Sequence, residues 1–345
     1  MIYRSKWVLA FTIPTLLLTG CGGSGNTTSP TPSPTPIIKN SLTGMEGTDG
    51  PVLAVKIDDS NPAHPQIGLQ GADVVYIEQV EGGETRLAAI FASKIPTHVG
   101  PVRSARISDI DLLSQYGHVA FAFSGAQSKM YPVIDAADLE NFGAQHESPT
   151  IYTRDSSRYA PYNMVLRADL LLAKVAKDKS PIAISKPMGW TFGKKPAGGT
   201  TITMAKFQWP AVTYKAHWSK REKRWLLDYQ GKPDVDSDGV RLGASTLVIQ
   251  LVSITDSIYH DKVGGITPLS KTIGQGTGFI LRDGKSFAAN WQRLDAASGT
   301  TWTLADGSPI SFAAGQIWVA LLDTPPIFTY PAVTPSASAS PSPTK

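Results

Sequence analysis

The chain holds a single cysteine, Cys21, placed directly after an apolar run near the start of the sequence. One thiol excludes internal disulfides, a four-cysteine zinc site and an iron–sulfur cluster bound by several cysteines. A body of this kind has to be held by packing and hydrogen bonds alone. With 345 residues, 41% of them apolar, the chain has enough material for one large or two medium domains. Only 17% of residues are charged, which argues against a disordered acidic chain or a coiled coil.

Ahead of the cysteine, Arg4 and Lys6 form a short positive region, and Trp7 to Leu18 is apolar except for Thr12, Pro14 and Thr15. That run is too short to cross about 30 Å of hydrocarbon as a helix. Leu18-Thr19-Gly20-Cys21 resembles the lipobox of bacterial lipoproteins, in which the cysteine is acylated and becomes the first residue. Residues 1–20 are therefore read as a signal peptide and Cys21 as the lipidation site. The expected location is extracytoplasmic, anchored to the bacterial membrane by lipid. Residues 21–44 open with a Gly/Ser/Thr/Pro stretch that cannot bury apolar surface, so they are expected to form an extended tether. Residues 331–345 have a similar composition and read as a tail.

Charge divides the body. Cys21 to Ser180 carries a net −4 and Pro181 to Lys345 a net +6. Pattern divides it at the same place. Val52–Ile57, Asp73–Glu78, Leu87–Ala92 and His118–Phe123 have the composition of buried strands. A helix is predicted from near Ser104, with Ile107, Ile110, Leu113 and Tyr116 at helical spacing, and another from an Asn163 N-cap. Past Pro181 nearly every segment reads as strand, with Asp283-Gly284 and Asp306-Gly307 as hairpin turns. The expected fold is α+β: a mixed α/β domain over 45–180, then a mainly β domain over 181–330. Lys220-Arg221-Glu222-Lys223-Arg224 is the densest basic run. It reads as a solvated turn, so no nucleic-acid partner is expected.

No metalloprotease, nucleophile-elbow or phosphate-loop motif is present. Gly274-Gln-Gly276-Thr-Gly278 lacks the third glycine of a dinucleotide fingerprint, because Phe279 occupies that position, and reads as a bend or bulge before a strand. The densest polar region joins Glu78, Glu81-Gly82-Gly83-Glu84 and Arg86 to Gly100-Pro101-Val102-Arg103-Ser104-Ala105-Arg106. Cations at a helix start oppose its dipole, so Arg103 and Arg106 mark either a ligand site or an internal ion network. As a ligand site, Glu81, Arg86, Arg103, Arg106 and Asn163 would receive a phosphate or carboxylate. As a network, the arginines would pair with Glu81, Glu84 or Asp109. Asp58 and Asp59 end a buried strand and, with Glu78 or Asp109, could hold a hydrated divalent cation or serve as acid/base groups; a turn cap is the alternative. Asp234, Asp236 and Asp238 followed by Gly239 match the start of a calcium-binding loop, but position 12 is Ser245 where a glutamate belongs. A bare polar hairpin is the alternative, and Ca2+ is the one cofactor the sequence suggests.

Glu81-Gly-Gly-Glu-Thr-Arg86 and Gly100-Pro-Val-Arg-Ser-Ala-Arg106 are similar to segments of the YerB-like lipoproteins, a domain-of-unknown-function family. Pro65-Gln66, Gly68-Leu69, Ala72 to Tyr76, Pro161, Asn163, Trp291, and Asp306 to Ile310 with Gly315 to Trp318 extend the resemblance over Pro51 to Leu322. Tyr162 stands where that family often has histidine. The resemblance implies a two-domain extracytoplasmic lipoprotein and carries no activity with it. Three functions fit: binding of an anionic cell-wall ligand through the arginines, hydrolysis of an envelope phosphate or sugar substrate through the carboxylates, or passive assembly with an envelope protein.

Overall fold

Leu53–Asp58 (β1) is apolar apart from Lys56 and Asp58, and all six residues are buried. A strand buried on both faces has to lie inside a sheet. In the computed structural model, which describes residues 37–332, β1 pairs antiparallel with Thr85–Phe91 (β3) and parallel with Val119–Ala122. Val74–Gln79 (β2) pairs antiparallel with β3 on one side and parallel with Ile317–Leu322 on the other. The sheet then continues through Thr246–Leu251, Gly274–Arg282 and Lys285–Arg293, to eleven strands in all. Residues before 181 supply five of these strands and later residues six, so one sheet crosses the boundary expected at 180/181.

The two faces of this sheet bury different cores. One packs Val55, Ile57, Val75 and Leu87 against a six-stranded second sheet, through Phe207, Tyr214, Trp225 and Leu227. The other packs Ala54, Tyr76, Ala88 and Ile90 against Leu112, Leu113 and Tyr116 of helix Ile107–Ser114 (α1), and against Trp291, Trp302 and Phe312.

The first part of the body is a mixed sheet with few helices, a coarser result than the expected α/β domain. Its α-helices are α1, Tyr131–Ala136 (α2) and Ala168–Asp178 (α3). Among described residues after 181 there is no α-helix, only strands and turns. Two helix starts are corrected. Residues 102–105 are extended because Val102 N–H donates to Met164, Arg103 N–H to Lys56 and Ala105 N–H to Gly125. Those bonds delay α1 until Ile107, with Arg106 as its N-cap. Asn163 caps no helix; Met164–Arg167 pairs as a strand with Tyr152–Arg154 and His98–Val99, and α3 begins at Ala168. The apolar run Met164-Val165-Leu166 satisfies either pattern, and available strand partners decided it.

The expected tether also ends earlier than residue 44. Asn40 and Leu42 are buried, and the Asn40 side chain accepts the backbone N–H groups of Leu42 and Thr43. The signal peptide, Cys21 and the tail beyond residue 332 lie outside the described residues. No described helix is long and apolar enough to cross a membrane.

Candidate functional site

Asp58 and Asp59 are adjacent, and the strand places their side chains on opposite sides of the sheet. Each leads to a different cluster.

On the Asp58 side, Glu81-Gly82-Gly83-Glu84 turns the chain from β2 into β3. Gly82 and Gly83 have φ of 69° and 74°, the left-handed region that favours glycine. A Cβ on Gly83 would also meet Pro210 at 2.5 Å. This turn, the extended 101–106 segment and the hairpin tip around Asp261 enclose a cleft of ≈ 860 Å³. Arg86, Arg103 and Arg106 all line it, together with Asp58, Glu81 and Glu84.

The three arginines differ in their partners. Arg106 donates to Glu81 from Nε at 2.9 Å and from Nη2 at 2.7 Å, and to the Ala105 carbonyl. Burial would raise the Glu81 carboxyl, but the Arg106 guanidinium and the Thr267 hydroxyl hold it below its ordinary value. Arg103 Nε lies 2.8 Å from Asp58 Oδ2, and its guanidinium sits over the Tyr162 ring. Arg86 is only 8% exposed, donates to the Ser104 carbonyl at 2.9 Å, and has no carboxylate within 4.0 Å among the described residues. Burial, then repulsion by Arg106 and Arg103, pulls its pKa down to about 9. Glu84 is raised, by partial burial and the charges of Asp59 and Asp58.

An ion network thus engages two arginines, Arg106 with Glu81 and Arg103 with Asp58 rather than with Glu84 or Asp109, and a third cation lines the cleft without a carboxylate among the described residues. Arg103 does not share a helix face with Arg106, since it precedes the helix. Asn163 stays out of the cleft; its Oδ1 accepts from Arg154 at 2.7 Å and its amide donates to the Arg158 carbonyl.

Glu78 is fully buried beside Lys56, whose Nζ also donates to Asp109 Oδ1 at 2.7 Å. Burial is the largest influence on Lys56 and, with Arg86 and Arg106 nearby, outweighs Asp109 to lower it to about 8. A lysine inside the apolar run of β1 was visible in the sequence and went unread.

On the Asp59 side the cluster is closed. Asp59 accepts from Tyr214 at 2.8 Å, from Gln66 at 3.3 Å and from Thr85. His64 bridges it to Asp234, with Nε2 3.3 Å from Asp59 and Nδ1 3.2 Å from Asp234, and the imidazole stacks on Tyr229. Burial would lower His64, but hydrogen bonds and charge from Asp234 and Asp59 raise it to about 10. His64 carried no sequence signal beyond a loop position near proline; only its partners give it a role.

These contacts correct the calcium expectation. Asp234 takes His64, Asp236 takes the Gln70 backbone N–H and Asp238 takes the Gln70 amide. No described group of three or more His, Cys, Asp or Glu is arranged to hold a metal ion. The loop instead clamps residues 64–70, with Ser237 N–H donating to the Gln66 carbonyl at 2.7 Å. Asp58, Asp59 and Glu78 do not converge either. Asp59 and Glu78 are fully buried and neither lines the cleft.

A continuous sheet shared by both parts of the chain, with an arginine-lined cleft beside the β2–β3 turn, can be set against known proteins. The N-terminal domain of DUF3048, described as "Protein of unknown function", matches residues 42–181, and its C-terminal domain matches residues 202–319. The chain belongs to this family. "Putative lipoprotein YerB" of Bacillus subtilis (strain 168) is 25% identical over 296 residues, spanning 82% of this chain and 85% of that protein. The crystal structure of YerB from Bacillus subtilis superposes with a TM-score of 0.71 at 21% identity, covering 83% of this chain and 97% of that one. That likeness establishes a shared fold.

Proposed function

We propose that this is a lipid-anchored envelope protein that binds an anionic ligand in the arginine cleft. The observation that carries the reading is Arg86: a nearly buried guanidinium lining a cleft, without a carboxylate partner. A buried cation in this state is unfavourable, and an incoming phosphate or carboxylate would relieve it. Arg103 is the second group for the anion. It is partly exposed and shares its only carboxylate with the Ser60 turn. Arg106 is committed to Glu81 and acts as the cleft wall. The anchor rests on Cys21 at the end of the apolar run and on the lipoprotein description of the Bacillus subtilis relative.

The test is a thermal-shift screen against phosphorylated and carboxylated envelope compounds. A ligand at about 100 times its Kd adds about 2.7 kcal/mol, which moves the midpoint by several degrees. The expected result is a shift that disappears in Arg86→Met and weakens in Arg103→Ala. Shifts that survive in Arg86→Met would overturn the assignment of the site.

A further inference from the structure

The Gly274-Gln-Gly276-Thr-Gly278 run is neither a bend nor a bulge. It lies in a regular strand, in unbroken register with Lys285–Arg293. Gly276 and Gly278 face inward beside two indoles, while Gly274, with φ of 118° and nothing within 4 Å of its Cβ position, opens the strand. A Cβ on Gly276 would meet Trp291 at 2.7 Å, and one on Gly278 would collide with the Ile249 carbonyl oxygen and meet Trp302 at 3.1 Å. Both tryptophans are 4% exposed. On the opposite face Gln275 and Thr277 point to solvent, before Phe279 and Leu281 turn that face into the core shared with the second sheet.

Those outward residues form two rows across three strands. Gln275 pairs with Gln292, which pairs with Thr301; Thr277 pairs with Asn290, which pairs with Thr303. Together with Gly276 and Trp291, the six line a shallow groove of ≈ 420 Å³. Among the described residues none of their side chains bonds another side chain, and Thr301 Oγ1 reaches the Gln292 carbonyl. None is charged. The contrast within the molecule is sharp: the outward face of the second sheet carries Lys206, Lys215, His217, Arg224 and Asp228, several of them in ion pairs.

We propose that this groove binds an extended, uncharged polysaccharide. Each amide and hydroxyl both donates and accepts a hydrogen bond, as sugar hydroxyls do. An ion would find no counter-charge here, and the one apolar side chain in the lining, Trp291, is only 4% exposed. Strands about 4.8 Å apart, with same-face residues about 7 Å apart along each, repeat these groups in two directions and suit a polymer lying across them. The indoles beneath pack the backbone of these strands in place, so only the side chains have to be ordered on binding. The groove is separate from the arginine cleft and does not depend on it.

The experiment records amide spectra of the isotope-labelled full chain during titration with chitotetraose and, separately, maltotetraose. Saturable shifts of the Gln275 side-chain NH2 signals and of the backbone amides of Thr277, Thr301 and Thr303 are expected with at least one sugar. They should vanish in the Asn290→Ala/Gln292→Ala double variant while its melting midpoint stays at the wild-type value. No response to either sugar up to its solubility limit would overturn the proposal. So would shifts that persist in the double variant, or that map to residues lining the arginine cleft.

Discussion

Asp58 and Asp59 are consecutive residues at the end of one strand, yet they belong to clusters of opposite character. Asp59 faces a closed junction in which every neighbour is engaged: His64, Gln66, Thr85 and Tyr214 all reach it. Asp58 faces an open cleft in which Arg103 is partly exposed and Arg86 is left without a carboxylate. The first cluster joins a loop of the first part of the chain to strands of the second. The second cluster leaves charge unspent beside solvent. A buried ionic group fully satisfied is a structural device, and one left over beside a cavity marks a candidate binding site.

The largest test of this contrast is truncation of each aspartate. Asp59→Ala leaves a cationic His64, two hydroxyls and an amide without their acceptor in a buried space. A loss of about 3–5 kcal/mol in urea unfolding is expected. Asp58→Ala should cost less, about 1.5–3 kcal/mol, because water can reach Arg103. Equal losses would erase the distinction between the clusters.

The pH dependence gives an intermediate effect. His64 is raised from 6.5 to about 10 in the folded chain. Its contribution is therefore complete below about pH 6.5 and declines as pH rises toward 10. Lys56, lowered from 10.5 to about 8, titrates over part of the same range with the opposite sign. The informative quantity is thus the difference between wild type and His64→Phe, which keeps the stack on Tyr229. That difference should shrink steadily as pH rises from 7 to 10. A constant difference would mean that His64 is held by packing alone.

The smallest change in stability is expected at Arg86. Replacing an uncompensated buried cation with Arg86→Met should leave the melting midpoint unchanged or raise it slightly, by about 0.5 kcal/mol or less. A loss comparable to that of Asp59→Ala would move Arg86 from the cleft to the structural network.

Particular residues show what could be read in advance. The buried strands were legible because unbroken apolar runs such as Val52–Val55 fit little else. The arginine cluster was legible because cations at a helix start conflict with the helix dipole. The Asn163 helix and the 274–278 bend were misread for one reason. Short runs of apolar residues or alternating glycines satisfy more than one local pattern, and the choice falls to a partner distant in sequence: Tyr152–Arg154 in one case, Trp291 and Trp302 in the other. The calcium motif failed similarly, since its carboxylates were taken by His64 and Gln70, more than 160 residues away.

By itself, then, the sequence determined the buried strands, the tight Gly82-Gly83 turn and the presence of surplus arginine charge, all of which follow from local hydrophobicity, backbone freedom and charge. Tertiary structure alone decided that β2 joins Ile317–Leu322 and merges two parts of the chain into one sheet. It also decided which of three arginines lacks a carboxylate partner among the described residues and which adjacent aspartate lines the cleft. Those outcomes depend on strand pairing and on which face of a strand is covered, and both are set by residues far away along the chain.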